Sequence, residues 1–276
     1  MKLFFLFVLI IGVSADVSAE HHASNLQGFP NLGSGIADMI NGIIKSLLDS
    51  LKSAIPEPVN LPKLNISLSY DNIANGSFVI GDLVEIGARN FNASVVKANI
   101  LKSTLNVVLD FPSINLNTNY FSDLLFGSIL PMYGEGPANI RLKNLRLNLT
   151  SHYDFKLLKM KLQIKNTTLL LTLDDAVFDI HGMINNEAFS ILCSQILDDT
   201  VSVFINKHNV LISKVLSPVI ESVVNSALSG GGSKKVSETL TFEEVPEMDE
   251  NKVEELRKMF FEELKKQPRI AKFLSF

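Results

Sequence analysis

Apolar and polar residues alternate along most of the chain between residue 61 and about residue 180. A period of two places successive side chains on opposite faces of an extended strand. Repeated over such a length, it predicts long antiparallel strands with one face buried and the other in water. The clearest alternating runs span residues 64–70, 105–111 and 158–164. This part of the chain is therefore predicted to form a meander of long strands.

The centre of this region holds a cluster of residues that favour chain reversal. Residues 130–137 read LPMYGEGP, with two glycines that readily adopt positive φ and two prolines that cannot donate to a β ladder. Alternation precedes the cluster in residues 109–116 and resumes after it at Ile140 and Leu142. We therefore predict a compact reversal at residues 130–137, with a long strand on each side.

Two segments show the period of a helix instead. Residues 36–55 carry apolar residues at i, i+3, i+4 and i+7, and Pro56 ends the pattern. Residues 186–228 carry a second apolar stripe, which stops before the three glycines at 230–232. Because Pro218 lies inside this stripe, we predict a kink or a break near it. The chain is therefore predicted to be an α+β domain with an N-terminal amphipathic helix and a long C-terminal helix.

The first residues have the three parts of a secretory signal peptide. Lys2 supplies the positive charge, an apolar stretch follows, and residues 13–15 offer a small-residue cleavage site. We predict a signal peptide over residues 1–15, with an alternative cut after residue 19, and hence a secreted, extracellular protein. No later run reaches the roughly 18 uninterrupted apolar residues that a spanning helix needs, so no integral membrane span is predicted.

Composition changes again after residue 229. Residues 230–251 begin with glycines, become polar and acidic, and predict a flexible linker. Residues 252–276 hold a short apolar stripe at helical spacing and form a C-terminal amphipathic extension, which could dock on the domain, bind a partner protein or stay mobile. We assign residues 30–229 to a single domain, and expect a chain that ends near Ser229 to keep its cooperative melt.

Five Asn-X-Ser/Thr sequons agree with secretion. They lie at Asn65, Asn75, Asn92, Asn148 and Asn166. Alternation places Asn65 and Asn148 on the polar faces of their strands, whereas Asn166 shares the parity of the apolar residues before it. Asn166 must therefore lie beyond the strand or at a bulge to be glycosylated. We expect Asn92 and Asn166 to be the poorer acceptors.

Charge and motif content argue against several classes of function. A net charge of −4 with 20% charged residues disfavours nucleic-acid binding, which needs clustered basic surface. The sequence has no G-x-S-x-G elbow, H-E-x-x-H motif, Cys-x-x-Cys pair or P-loop, and His181 and His208 have no ligand-type residue at metal spacing. The single cysteine, Cys193, sits among apolar residues and is expected to be buried. We therefore expect no enzymatic activity, no cofactor and no metal site.

The motifs of the central region resemble those of a known family. They are FPSINL at residues 111–116, then Tyr120, the pair Leu130-Pro131, GEG at residues 134–136, and Ile140, Leu142 and Asn144. The segment GDLVEIGARNF at residues 81–91 is similar to that family's Gly-then-Asn-Phe entry to a strand. On these residues the chain resembles the insect takeout and haemolymph juvenile-hormone-binding proteins of the tubular lipid-binding superfamily.

The resemblance implies both a fold and a kind of ligand. It implies a long, strongly curved antiparallel sheet wrapped around a long C-terminal helix, in an elongated domain with an apolar tunnel. The family usually carries a cysteine pair near the mature N-terminus, which this chain lacks. The candidate tunnel-wall residues on the strands and the C-terminal helix are Leu105, Val107, Leu109, Ile140, Leu142, Phe189, Leu192, Ile196 and Phe204.

Two functions are consistent with these observations. The first is a secreted carrier that binds an elongated hydrophobic ligand in an internal tunnel, and the resemblance implies a terpenoid hormone, a fatty acid or a similar lipid. The alternative is a secreted, non-enzymatic surface-recognition protein that uses the same scaffold and its C-terminal tail, with a packed interior. The first function requires a hydrophobic small molecule as partner, and the second a protein.

Overall fold

The computed structural model describes residues 32–70, 74–126, 130–157, 161–228 and 249–270. The predicted signal peptide and most of the predicted linker lie outside these ranges. In chain order the elements are helix α1 (Leu32–Ala54), strands β1 (Val59–Leu61), β2 (Leu64–Tyr70) and β3 (Ala74–Ile86), a 3-10 turn (Ala88–Asn90), strands β4 (Asn92–Asn99), β5 (Thr104–Phe126), β6 (Leu130–Lys156) and β7 (Lys161–Ile180), and helices α2 (Glu187–Lys207), α3 (Asn209–Leu228) and α4 (Glu250–Lys266).

The seven strands form one open antiparallel sheet. Its path runs β1-β3-β5-β6-β7, with β2 also paired to β3 and β4 also paired to β5. Strands β5, β6 and β7 are 23, 27 and 20 residues long, which is several times an ordinary strand. The predicted α+β class, with a long antiparallel sheet followed by C-terminal helices, is confirmed.

The reversal predicted at residues 130–137 is wrong, because these residues belong to β6. Strand β5 pairs with β6 without a change of register, from Thr104 opposite His152 to Phe126 opposite Leu130. Residues 130–137 favour a turn by their local preferences, but the long pairing with β5 keeps them in strand β6.

The two glycines of this segment permit a close approach of backbones. A Cβ on Gly134 would lie 2.3 Å from the carbonyl oxygen of Gly182, and one on Gly136 would lie 2.5 Å from that of His181. Both distances are impossible for real side chains, so β6 needs glycine where the segment after β7 crosses it. This contact holds the entrance to α2 against the sheet.

A crease runs across the sheet where the alternation of buried residues changes phase. The crease passes through Asn144 of β6, which has a positive φ of 50°, and the Asn144 side-chain amide donates to Asp174 of β7 at 3.0 Å. Because neighbouring strands change phase in the same row, the inner face of the sheet stays apolar on both sides. The flanking buried residues are Phe111 and Ile114 in β5, Leu142 and Leu145 in β6, and Leu173 and Ala176 in β7.

Helices α2 and α3 lie along β7, the last strand of the sheet, and pair its free edge through side chains. Four residues of helix rise about 6 Å and two residues of strand about 6.6 Å, so Ser194 and Asp198, four apart on α2, match the N–H groups of Ile180 and Phe178, two apart on β7. The bonds run from Ile180 N to Ser194 Oγ (3.0 Å), Phe178 N to Asp198 Oδ1 (2.6 Å), Leu173 N to Asn206 Oδ1 (3.0 Å), Leu169 N to Ser213 Oγ (3.0 Å), Thr167 N to Glu221 Oε2 (3.0 Å) and Ile164 N to Asn225 Oδ1 (2.8 Å). We call this row of bonds the edge ladder.

The N-terminal helix covers part of the opposite edge in the same way. The Ala98 N–H of β4 donates to Asn41 Oδ1 of α1 at 2.7 Å, and Lys52 Nζ donates to the carbonyl oxygen of Phe91 at 2.9 Å. Exposed edges invite pairing with other chains, and covering them with helices is a common protection. The predicted amphipathic helix is thus present, and its buried face includes Ile40 and Ile44.

The break between α2 and α3 lies at His208, so the predicted break near Pro218 is wrong, whereas a kink at Pro218 stays a prediction. Asn209 competes with the helix for a backbone group, since its Nδ2 donates to the carbonyl oxygen of Asn206 at 2.9 Å. Pro218 lies inside α3. The carbonyl that it leaves unpaired belongs to Lys214, an exposed residue. The expected single C-terminal helix is therefore two helices in sequence.

By length and composition, α2 and α3 would each suffice to cross a membrane. Both helices are bonded along β7 by the edge ladder, and core helices of soluble proteins have the same composition.

Helix α4 docks on the domain, which is one of the three arrangements considered for the extension. Val253 and Leu256 are each 2% exposed and belong to the main hydrophobic core. Leu264 and Ile270 belong to a second buried cluster with residues of β2, β5 and α2. Whether the rest of the chain keeps its cooperative melt without α4 stays a prediction.

Replacing Asn206 by alanine tests the edge ladder. The variant would leave both the N–H and the carbonyl of Leu173 without their partner, since Asn206 Nδ2 also donates to Leu173 O at 2.8 Å. We expect a loss of about 1–3 kcal/mol in the free energy of unfolding, measured by urea denaturation. Asn119→Ala, on the exposed face of β5, is the matched control and should change it by less than about 0.5 kcal/mol. Equal midpoints for the two variants would contradict the ladder's role.

Candidate functional site

The inner face of the sheet and the helices enclose one large apolar interior. Its main cluster joins residues of α1, the strands β1, β3, β4, β5, β6 and β7, and the helices α2, α3 and α4. Five of the nine candidate wall residues belong to this cluster as buried members, and Ile140 packs against it partly buried. The five are Leu105, Val107, Leu109, Leu142 and Phe204.

The remaining three candidates lie in two smaller clusters. Ile196 is buried in the second cluster with Leu68, Tyr70 and Phe126, and Leu192 packs against that cluster. Phe189 packs against the third, which contains Tyr120, Ala138, Met183 and Cys193. The predicted wall is therefore divided among three clusters, because α2 follows the β7 edge from one end of the sheet to its middle. These clusters define the candidate site.

Sequence reasoning missed the contribution of α3. Ile212 and Leu216 are both fully buried, as are Ile114 of β5 and Leu173 of β7. The spacing of Ile212 and Leu216 by four was the available signal.

The buried serine hydroxyls around the interior are bonded within the protein. Ser194 and Ser213 serve the edge ladder, Ser190 Oγ accepts from Met183 N at 3.0 Å, and Ser122 Oγ donates to the carbonyl oxygen of Met132 at 2.6 Å. A buried polar group with a protein partner has little to offer a ligand. The candidate site is therefore suited to apolar molecules.

Glu85 is the one charged residue that is buried among those the structure describes. It lies on the inner parity of β3 beside Leu83, is 1% exposed, and its Oε1 accepts from the N–H of Ala88 at 2.7 Å. Burial raises the pKa of Glu85 to about 7; the bond from Ala88 opposes this change, and the nearby Glu57 adds to it. Near neutral pH this carboxyl is therefore present in both protonation states, and its protonated form could donate a hydrogen bond.

Cys193 is buried, and His181 lies between two carboxylates. Cys193 is buried and not in a disulfide, as predicted, and burial raises the pKa of its thiol to about 12, so the reactive thiolate is scarce. His181 differs from expectation, because its Nε2 lies 3.0 Å from Asp179 Oδ1 and its Nδ1 lies 3.1 Å from Glu187 Oε1. Within the described ranges, no group of three or more His, Cys, Asp or Glu residues could hold a metal ion.

The sequons lie at different depths in the surface. Asn65, Asn92 and Asn166 are exposed, whereas Asn75 and Asn148 are half-buried. Asn166 has a positive φ of 51° beside the register shift between β6 and β7, so it sits at a bulge that turns it outward. Asn148 Oδ1 accepts from the side chain of Asn106 at 3.0 Å.

Comparison with known proteins gives one family match. The model of the family described as haemolymph juvenile hormone binding protein (JHBP) matches residues 4–230. A search of curated proteins gives no match. Among solved structures, Takeout 1 of Epiphyas postvittana is 15% identical with a TM-score of 0.48, over 71% of this chain and 92% of that chain. Lipopolysaccharide binding protein is 13% identical with a TM-score of 0.32, over 69% of this chain and 41% of that one.

The buried carboxyl of Glu85 predicts a pH dependence of stability. Its pKa in the folded protein, about 7, lies above the ordinary value of 4.5, so folding disfavours the charged form. The variant Glu85→Gln keeps an oxygen acceptor for Ala88. Relative to this variant, the free energy of unfolding of the wild type should fall by on the order of 3 kcal/mol as the pH rises from 4.5 to 7. Urea denaturation of both proteins across this range measures it. The exposed Glu135→Gln is the control, and a constant difference between wild type and Glu85→Gln would contradict the assignment.

Proposed function

The chain belongs to the haemolymph juvenile hormone binding protein family, and we propose that it is a secreted carrier that holds one elongated hydrophobic molecule in its interior. The ligand classes proposed are a terpenoid hormone like juvenile hormone, a fatty acid or a similar lipid. The observation that carries the proposal is the main buried apolar cluster, which joins the inner face of the sheet to α2 and α3. The carrier would need no cofactor and would act by binding alone.

The physical driving force would be the transfer of apolar surface out of water. At about 25 cal/mol per Å², a ligand that buries roughly 300 Å² of apolar surface gains about 7 kcal/mol before the cost of association. The length and width of the proposed internal binding space would select among ligands, together with one or two polar groups. Glu85 is the candidate for such a polar group, since a protonated carboxyl could donate to a ligand carbonyl or accept from a hydroxyl.

Secretion is part of the proposal and rests on the N-terminal sequence. The family name refers to haemolymph, an extracellular fluid. The charged, apolar and small-residue parts of residues 1–15 agree with export, and the five sequons agree with passage through a compartment that glycosylates.

The surface-recognition alternative has less support from the molecule. It uses the C-terminal tail as the contact element, but Val253, Leu256 and Leu264 face the core and are unavailable to a partner in this arrangement. The carrier proposal is therefore preferred.

A co-purifying ligand is the first expected result. Native mass spectrometry of the secreted protein, deglycosylated and gently handled, should show a population heavier than the polypeptide by the mass of one lipid-like molecule. Organic extraction should release that molecule and leave the apo mass. A uniform apo mass before extraction would argue for the alternative.

Two substitutions separate a carrier from a solid scaffold. If the interior is a solid core, Phe204→Ala leaves a cavity and lowers the free energy of unfolding by about 3–5 kcal/mol. If Phe204 borders space for a ligand, the free energy of unfolding falls by less, and the affinity for dansylaminoundecanoic acid changes. Leu109→Lys would bring an unpaired ammonium to the inner face of the sheet. It should lower the affinity for an uncharged apolar probe more than the affinity for a carboxylate probe. Phe121→Ala, at a residue 47% exposed on the outer face, is the matched control.

The readouts are thermal unfolding and fluorescence titration of the probe. A wild type that takes up no probe, together with a large drop in the melting temperature of Phe204→Ala, would contradict the carrier proposal.

A further inference from the structure

Helix α4 bridges the two sides of the open sheet. On the sheet side, the ring of Phe261 lies 6.1 Å from that of Tyr70 in β2 and 6.2 Å from that of Phe126 in β5. Strand β2 lies at the edge of the sheet away from β7, and β5 is the middle strand. The Tyr70 hydroxyl is hydrogen-bonded to Glu254, and burial together with this bond raises the pKa of Tyr70.

On the helix side, α4 is held to α2 by ring contacts and ion pairs. The Phe260 ring meets the Phe204 ring edge-on at 5.2 Å. Lys207 of α2 pairs with Glu263, and Asp199 of α2 accepts from Arg269, just beyond α4, at 2.9 Å. Since α2 lies along β7, α4 spans from the edge of the sheet that carries the helices to the edge that carries β2.

The position of α4 covers candidate wall residues. Phe204 lies under Phe260, and Ile196 shares a buried cluster with Leu264 and Ile270. Leu192 packs against the same cluster. Moving α4 away would therefore expose the apolar surface of α2 that faces the interior.

Three features make α4 separable from the rest of the fold. It lies beyond residue 230, where the family match ends. It is capped by its own residues, because Asp249 accepts from Lys252 N and the Gln267 N–H donates to Leu264 O. The described hydrogen bonds of its backbone are internal. The side chains of α2 and α3, by contrast, also bond the backbone of β7. Detachment would break side-chain contacts and leave both the helix and the sheet pairing intact.

The junction of α2, α3 and α4 contains a group that acid would disturb. The Nε2 of His208 is buried with no hydrogen-bond partner among the described residues, and the ring lies 4.6 Å from Phe204. The charged groups that act on it are Lys207 on α2, and Glu263 and Lys266 on α4. Protonation would place a cation beside two lysines and one carboxylate in a site with no partner for Nε2.

We propose that α4 is a detachable strap that closes the open side of the apolar interior, that acid loosens it, and that its release admits the ligand. The last clause rests on the proposed carrier function. The first two concern the strap itself and stand on the contacts of α4.

The direction of the pH effect follows from the two groups at the junction. Burial, and then Lys207, lower the pKa of His208 below its usual 6.5, so docking is favoured above pH 6.5 and weakens as the pH falls toward the lowered value. Lys207 lowers the pKa of Glu263 below 4.5, so this contribution is present above pH 4.5 and is lost on further acidification. Both effects act in the same direction.

The test combines hydrogen exchange with uptake of a probe by the full chain. Amide exchange of residues 250–266, corrected for the intrinsic rate, is measured by mass spectrometry at about pH 7.5 and about pH 5.5. Association of dansylaminoundecanoic acid is followed by stopped-flow fluorescence under the same conditions. The proteins are the wild type, Phe260→Ala, His208→Phe and the control Phe121→Ala.

The strap predicts three results. Residues 250–266 exchange faster than β5 and β6 in the wild type. Phe260→Ala raises that exchange and the probe association rate together, about tenfold or more, whereas Phe121→Ala changes neither. His208→Phe keeps the ring contact, lowers the exchange, and removes most of its increase between about pH 7.5 and about pH 5.5.

The failures of the two proposals are distinguishable. Exchange of residues 250–266 only in step with β5 and β6 would overturn the strap, whatever the probe does. Faster exchange in Phe260→Ala with an unchanged association rate of a bound probe would overturn its role as a gate. Independent opening of α4 with no probe bound by any of the proteins would support the strap and overturn the carrier function.

Discussion

The pairing of the free edge of β7 with side chains of α2 and α3 is the interaction on which the rest of the structure depends. A strand of 20 residues at the end of an open sheet presents a row of N–H groups, and each one buried without a partner would cost about 1–3 kcal/mol. Side-chain oxygens of serine, asparagine, aspartate and glutamate accept hydrogen bonds from these N–H groups at intervals along two helices. The helices are thereby aligned with the strand, and their apolar stripes face the inner side of the sheet.

This arrangement explains how the interior remains apolar. The polar groups that the helices carry on their inward side are used at the sheet edge, so aliphatic and aromatic residues form the contact between the helices and the inner face of the sheet. Glu85, at the far end of β3, is the one buried charge in the described part of the chain. The proposed carrier of hydrophobic molecules needs such an apolar interior. Wherever the sheet is open, that apolar surface must be shielded from water by another element. Helix α4 provides that cover between α2 and β2.

Local signals in the sequence predicted the elements well and their ends poorly. Alternation predicted the long strands, including the inward residues Leu105 and Leu142, because a buried face must be apolar along its whole length. The glycines and prolines of residues 130–137 wrongly predicted a turn, since an uninterrupted ladder with β5 outweighs local preference. Pro218 wrongly predicted the helix break, since both Pro218 and Lys214, whose carbonyl it leaves unpaired, are exposed residues of α3.

By itself the sequence determined the class of fold, the inner face of the sheet and the apolar character of the interior, because each follows from the periodicity of residues near one another in the chain. Only the tertiary structure decided that Asn206 and Asn225 pair with β7, that Glu85 is buried, and that α4 docks beside Phe204. These contacts join residues far apart in the chain, and their partners depend on where the sheet places its edges. Periodicity along one segment shows which face is buried, and the packing of distant segments decides what that face meets.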